Sequence, residues 1–88
     1  MVPSRRFLRR LKKLDPVLKK RTLEAVKKLK EDHRRKGVHL EPVSGQEGAY
    51  TARVDRNYRL TLLEEYDEQG VYFVLDNVVT HQRAYRRK

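Results

Sequence analysis

The sequence predicts an α+β fold of two layers: an N-terminal helical hairpin packed on one face of a three- to four-stranded antiparallel sheet. Three observations point there. Apolar residues up to residue 35 recur at helical spacing, those after Gly48 alternate with polar ones, and a stretch marked by Pro42, Gly45 and Gly48 divides the two regions. A chain of 88 residues is read as one domain, 1–88. At this size folding buries only about 60% of the surface the open chain exposes, which is enough for one core.

In "SRRFLRRLKKLDP", Phe7, Leu8, Leu11 and Leu14 fall at helical spacing among arginines and lysines, and Ser4 is placed to cap the start. Asp15-Pro16 ends this helix and begins the next, since Asp accepts from the first turn and Pro tolerates the first helical position. The second helix, roughly 16–35, lays Leu18, Thr22, Ala25, Val26 and Leu29 along one stripe, with Gly37 as a natural stop. From Gly37 to Gly48 no periodicity is visible, and the segment reads as a loop.

After Gly48 the period is two. Tyr50, Ala52 and Val54 share one face and Thr51 and Arg53 the other; Tyr58, Leu60 and Leu62 lie opposite Arg59 and Thr61. "DEQG" is a turn, and "VYFVLDNVV" is apolar on both faces, as suits a central strand. A loop of Asp55-Arg56-Asn57 pairs Val54 with Tyr58, Arg53 with Arg59, Ala52 with Leu60 and Thr51 with Thr61. The helices then cover the apolar face, and the arginines and threonines occupy the open one.

Net charge is +10, carried by the first part: residues 1–36 hold 15 Lys/Arg against 4 Asp/Glu, and residues 37–88 hold 7 against 8. Such a field favours a polyanionic partner, the alternative being a solvated helix surface. There is no cysteine for a disulfide or thiolate site, and no apolar run of membrane-spanning length. The N-terminus lacks the apolar segment of a secretory signal, so the expected location is cytoplasmic. His33, His39 and His81 show no ligand spacing; neither a metal nor another cofactor is expected.

The arginine pair is the first candidate site. Like charges directly opposed, with Cβ atoms roughly 5 Å apart, are destabilising. An anion between the two guanidiniums converts repulsion into charge-assisted hydrogen bonds, and phosphate with the hydroxyls of Thr51 and Thr61 fits. The alternative pairs each arginine with a carboxylate such as Glu41, Asp55 or Asp76.

Taken in order, "FLRRLKKLDPVLKKRTLEAVKKL", "LEPVSGQEGAYTARVDRNYRL" and "THQRAY" resemble the RelE/ParE superfamily of bacterial and archaeal toxins over residues 5–86. The motif Y-x-x-R-V-x-x-x-Y-R-L and a terminal H-x-x-x-Y carry the likeness. The resemblance implies a toxin held inactive by a cognate antitoxin protein. It further implies a ribosome-dependent endoribonuclease that cleaves mRNA by attack of the 2′-hydroxyl on the adjacent phosphate, without metal. Its alternatives are a ParE-like gyrase inhibitor or a RelE-like binding module without catalysis.

Carried over by position, the resemblance gives Arg59 the transition-state phosphate and makes Arg53 a second cation on the preceding strand. Glu41, in "LEPV", is similar to the glutamate general base of the YoeB type. His81 resembles a C-terminal acid or base, and Tyr85 a tyrosine that contacts the nucleotide. Thr51, Thr61, Arg56, Arg83, Arg86 and Arg87 are the further expected RNA contacts. Outside catalysis, Glu41 reads as a solvated loop residue. His81 and Tyr85, four apart on one helical turn, read as packing against the sheet end. Two departures stand out. "MVPS" leaves the usual N-terminal strand missing or vestigial, and Thr51 stands where the RelE type has lysine.

Overall fold

The computed structural model describes residues 1–31 and 39–82. His33, Gly37, Arg83, Tyr85, Arg86 and Arg87, and the stretch 32–35 expected in the second helix, lie outside the described residues. The chain runs β1 (Val2–Pro3), α1 (Arg5–Lys13), α2 (Pro16–Glu31), β2 (Glu41–Pro42), β3 (Ala49–Arg53), β4 (Tyr58–Asp67) and β5 (Gly70–Thr80).

Both helix starts form as their caps dictate. The Ser4 hydroxyl accepts from Phe7 N at 3.0 Å, and Asp15 Oδ1 accepts from Leu18 N at 3.0 Å, each satisfying a first-turn donor that no helical carbonyl can reach. The stripe expected on α2, Leu18, Thr22, Ala25, Val26 and Leu29, is the buried one. Thr22 lies within it because its hydroxyl donates to Leu18 O at 2.8 Å, which removes the cost of burying a polar atom. On α1 the expected stripe is too wide. Phe7 is buried and Leu11 and Leu14 are half-buried, but Leu8 is 44% exposed. Leu8 sits one residue past Phe7, a quarter-turn or so around the helix and off the line facing the sheet.

The sheet has five strands in the order β1-β5-β4-β3-β2. It exceeds the expected three or four by two-residue edge strands, and it is mixed where an antiparallel sheet was expected, because β1 runs parallel to β5 through Val2↔Val74 and Pro3↔Leu75. The N-terminal strand is therefore vestigial but present. Part of the expected 37–48 loop is the strand β2, antiparallel to β3 through Glu41↔Thr51 and Pro42↔Tyr50. Two residues are too short to show a period, which is why neither strand is visible as a pattern.

The β3–β4 pairing is the expected one: Arg53↔Arg59, Ala52↔Leu60 and Thr51↔Thr61. Val54 N donates to Tyr58 O at 3.2 Å and closes the three-residue loop. Phe7, Val26 and Leu29 from the helices meet Ala52, Leu60, Leu62, Leu75 and Val78 from the sheet to form the core. Tyr50 and Phe73 extend it as an edge-to-face pair with centroids 5.4 Å apart. On α1, Arg10 Nε donates to Val78 O at 3.1 Å, tying the helix to β5.

The β4–β5 turn closes at Asp67↔Gly70. Gly70 has φ of +120°, a conformation side chains rarely adopt, and Asp67 Oδ1 accepts from Gln69 N at 2.8 Å inside the turn. Beyond the helical layer, Tyr66 and Val71 at the hairpin tip are 71% and 56% exposed. None of the described helices is long and apolar enough to cross a membrane.

Candidate functional site

Alternation along β3 and β4 decides the site. With Ala52, Leu60 and Leu62 committed to the core, Arg53, Thr51, Arg59 and Thr61 must project from the sheet's other side. Glu41 on β2 lies across from Thr51, so its carboxylate joins the same face. One transverse row reads Glu41–Thr51–Thr61–Asn77, and the next reads Arg53–Arg59–Val79.

Arg59 is the enclosed member. Its side chain is 11% exposed, its Nε and Nη1 are shielded from solvent, and Nη1 stands 4.0 Å from Glu41 Oε1. Thr51, fully buried, lies across from both Glu41 and Thr61 in this row. An arginine held this way presents its fork of donors in a setting where water screens weakly. Arg53 is exposed, on the part of β3 that β2 does not reach, and also lines a cleft of about 230 Å³ with Arg21, Glu24 and Lys28 of α2 and with Asp55.

Of the three carboxylates that could have claimed the arginines, Glu41 approaches Arg59. Asp55 is committed to the turn, where Oδ1 accepts from Asn57 N and Tyr58 N at 2.8 Å each and Oδ2 lies 3.5 Å from Arg21 Nη1. Asp76 Oδ2 accepts from the Thr61 hydroxyl at 3.2 Å.

His81 follows β5 directly, and its backbone N donates to Asn57 O at 2.8 Å, which sets it beside the β3–β4 turn at the arginine end of the sheet. Arg56 is exposed at the tip of that turn. Thus Arg53, Arg59, Glu41, Thr51 and Thr61 share one face, with His81 and Arg56 at its rim. Tyr85, Arg83, Arg86 and Arg87 lie outside the described residues.

Two polar residues of this face were not singled out from sequence as site residues. Asp76 and Asn77 sit inside an apolar run, and only a register shift between Thr61 and Leu62 brings them onto the arginine side. The signal was available in "LDNVV", where two polar residues interrupt a strand otherwise apolar on both faces.

No protein-family model matches the sequence, and no curated protein does. Solved structures do match. A chain of the RelB–RelE antitoxin–toxin complex from Methanococcus jannaschii superposes with a TM-score of 0.70 at 15% identity, over 97% of this chain and 95% of that one. A YoeB/ParE toxin from Agrobacterium tumefaciens superposes with a TM-score of 0.70 at 12% identity, over 91% of this chain and 96% of that one. At these identities the likeness is one of backbone, and it extends over nearly the whole of all three chains. The helical hairpin on a sheet whose opposite face carries the arginine pair has the fold of the RelE and YoeB/ParE toxins.

Proposed function

We propose that this chain is the toxin of a toxin–antitoxin pair and an endoribonuclease that cleaves mRNA on the ribosome in the cytoplasm. The observation that carries the proposal is the Arg53–Arg59 pair on the sheet face away from the helices, with Arg59 enclosed and Glu41 beside it. A scissile phosphate seated between the guanidiniums receives bidentate hydrogen bonds and neutralises their repulsion. The RNA 2′-oxygen attacks phosphorus as its proton passes to Glu41. The bond from phosphorus to the 5′-oxygen breaks as His81 supplies that oxygen with a proton. The products are a 2′,3′-cyclic phosphate and a free 5′-hydroxyl. The roles of Glu41 and His81 can be exchanged, since either group takes or gives a proton.

Charge accumulates on the non-bridging oxygens at the transition state, where Arg59 is already in place and needs little reorganisation. No step requires a metal. Thr51 and Thr61 form the row next to the arginines and are assigned to the floor of the RNA site, Arg56 contacts the RNA backbone at the rim, and Tyr85, Arg83, Arg86 and Arg87 are assigned to the same strand of RNA. The basic outer surface of α1 and α2 suits ribosomal RNA, with binding that weakens steeply as salt rises. An antitoxin protein is the proposed regulatory partner, as in the M. jannaschii complex.

The test is expression without a partner, with mapping of mRNA ends in ribosome-bound messages. Growth arrest with new 5′ ends is expected, and Arg59→Ala should slow cleavage by about 10²–10³-fold. Arrest without new ends but with lost gyrase supercoiling would replace the reading with gyrase inhibition. Intact growth and intact messages would leave a binding module.

A further inference from the structure

We propose that Asp76 and Asn77 form a base-reading subsite selective for the Watson–Crick edge of guanine, beside the phosphate site. The inference rests on that site being occupied by RNA phosphate, and it names the nucleotide that would be held there.

A register shift creates the subsite. Thr61 pairs with Asn77, whereas the next residue, Leu62, pairs with Leu75, so Asp76 is the extra residue of a β-bulge. Leu75 and Val78 both belong to the core. Two residues separate them, and neither points into the core. In a regular strand one of any two consecutive residues would face the helices; the bulge sends both to the arginine side.

Hydrogen bonds place both groups. The Thr61 hydroxyl lies 3.2 Å from both Asp76 Oδ2 and Asn77 O and shares its proton between them, which places the carboxylate on the arginine face. Asn77 Oδ1 accepts from Val78 N at 2.9 Å, so the amide is oriented with Nδ2 as its outward end. The backbone beneath is pinned by the residue between β1 and α1, as Ser4 Oγ donates to Asp76 O at 3.2 Å and Ser4 N donates to Leu75 O at 3.0 Å. Both residues are half-buried.

A carboxylate presents acceptors and the amide nitrogen presents donors. Guanine offers two adjacent donors, N1–H and N2–H, next to the acceptor O6, so Asp76 can accept both while Asn77 Nδ2 donates to O6. Adenine sets an acceptor where guanine has N1–H. Cytosine offers one donor beside two acceptors, and uracil places its single donor between two acceptors. Bases in single-stranded RNA are commonly read on this edge. Asn77 lies one strand across and two residues along from Arg59, roughly 8 Å by strand spacing and rise, which is within the span of one nucleotide.

The test titrates the protein with the 3′-monophosphates of guanosine, inosine, adenosine, cytidine and uridine, and with inorganic phosphate, following amide shifts. Guanosine monophosphate should bind about tenfold or more tighter than the adenosine, cytidine and uridine nucleotides. Inosine, which lacks the N2 amine, should fall between. Asp76→Asn should abolish the preference while inorganic phosphate binds as well or better, because a negative charge has gone. Asn77→Ala should weaken guanosine binding and leave inorganic phosphate unchanged. Equal affinity for all the nucleotides, or a preference that survives Asp76→Asn, overturns the subsite and leaves the phosphate site standing. If neither nucleotides nor inorganic phosphate bind, the phosphate site falls and the subsite with it.

Discussion

Arg53 and Arg59 are direct cross-strand partners on the β3–β4 hairpin, on the face turned away from the helices. The pair is an unfavourable arrangement for stability, held in place because Ala52 and Leu60, one position along, must enter the core.

Removing one member should therefore stabilise the protein. Arg53→Thr is expected to raise unfolding free energy by about 0.5 kcal/mol in low salt, measured by urea denaturation. Added phosphate should raise the wild-type midpoint and do less for the variant, because a ligand stabilises only the state that binds it.

Asp55 should matter more than its ion pair with Arg21 suggests. Its Oδ1 accepts two backbone N–H groups that shape the turn, while the Arg21 side chain is 54% exposed. Asp55→Ala is expected to cost about 1–2 kcal/mol, and Arg21→Ala no more than about 0.5 kcal/mol. Equal losses in denaturant melts would contradict this division.

Core and surface leucines should separate cleanly. Leu60 is fully buried at the centre of the sheet, whereas Leu23 is 47% exposed on the outer side of α2. Leu60→Ala should cost about 2–5 kcal/mol, and Leu23→Ala about 0.5 kcal/mol or less. Thermal melts followed by circular dichroism would read both.

The hairpin tip carries a titration marker. The negative charge of Glu64, which also accepts from the Tyr66 hydroxyl at 3.3 Å, raises the Tyr66 pKa above its ordinary value of 10.0. Glu64→Gln should bring it back down, as followed by ultraviolet absorbance. The folded state holds the phenol proton more tightly than the unfolded one. The associated stability is therefore intact below pH 10.0 and fades as pH rises through the folded value.

Much of the site was legible in the sequence because parity is unforgiving in a strand. Once Tyr50, Ala52, Leu60 and Leu62 are committed to one side, Arg53 and Arg59 have only the other, and the three-residue loop sets them opposite each other. The buried stripe of α2 was legible for the same reason at the helical period. What escaped lacks a period. Val2–Pro3 and Glu41–Pro42 are strands by virtue of their neighbours, and nothing local to them says so. The bulge at Asp76 is likewise a property of the β4–β5 pairing, set by Leu75 and Val78 both packing against the helices. Leu8 shows the converse error, an apolar residue at plausible spacing that faces solvent.

The pairing of Val2 with Val74 has a consequence for how the molecule comes into being. A parallel contact between segments so distant in sequence is entropically slow to close, and during synthesis it must wait until β5 has emerged. The β3–β4 hairpin, built from near neighbours, can form well before that. The N-terminal strand can therefore take its place only once β5, the last strand in the chain order, is there to receive it.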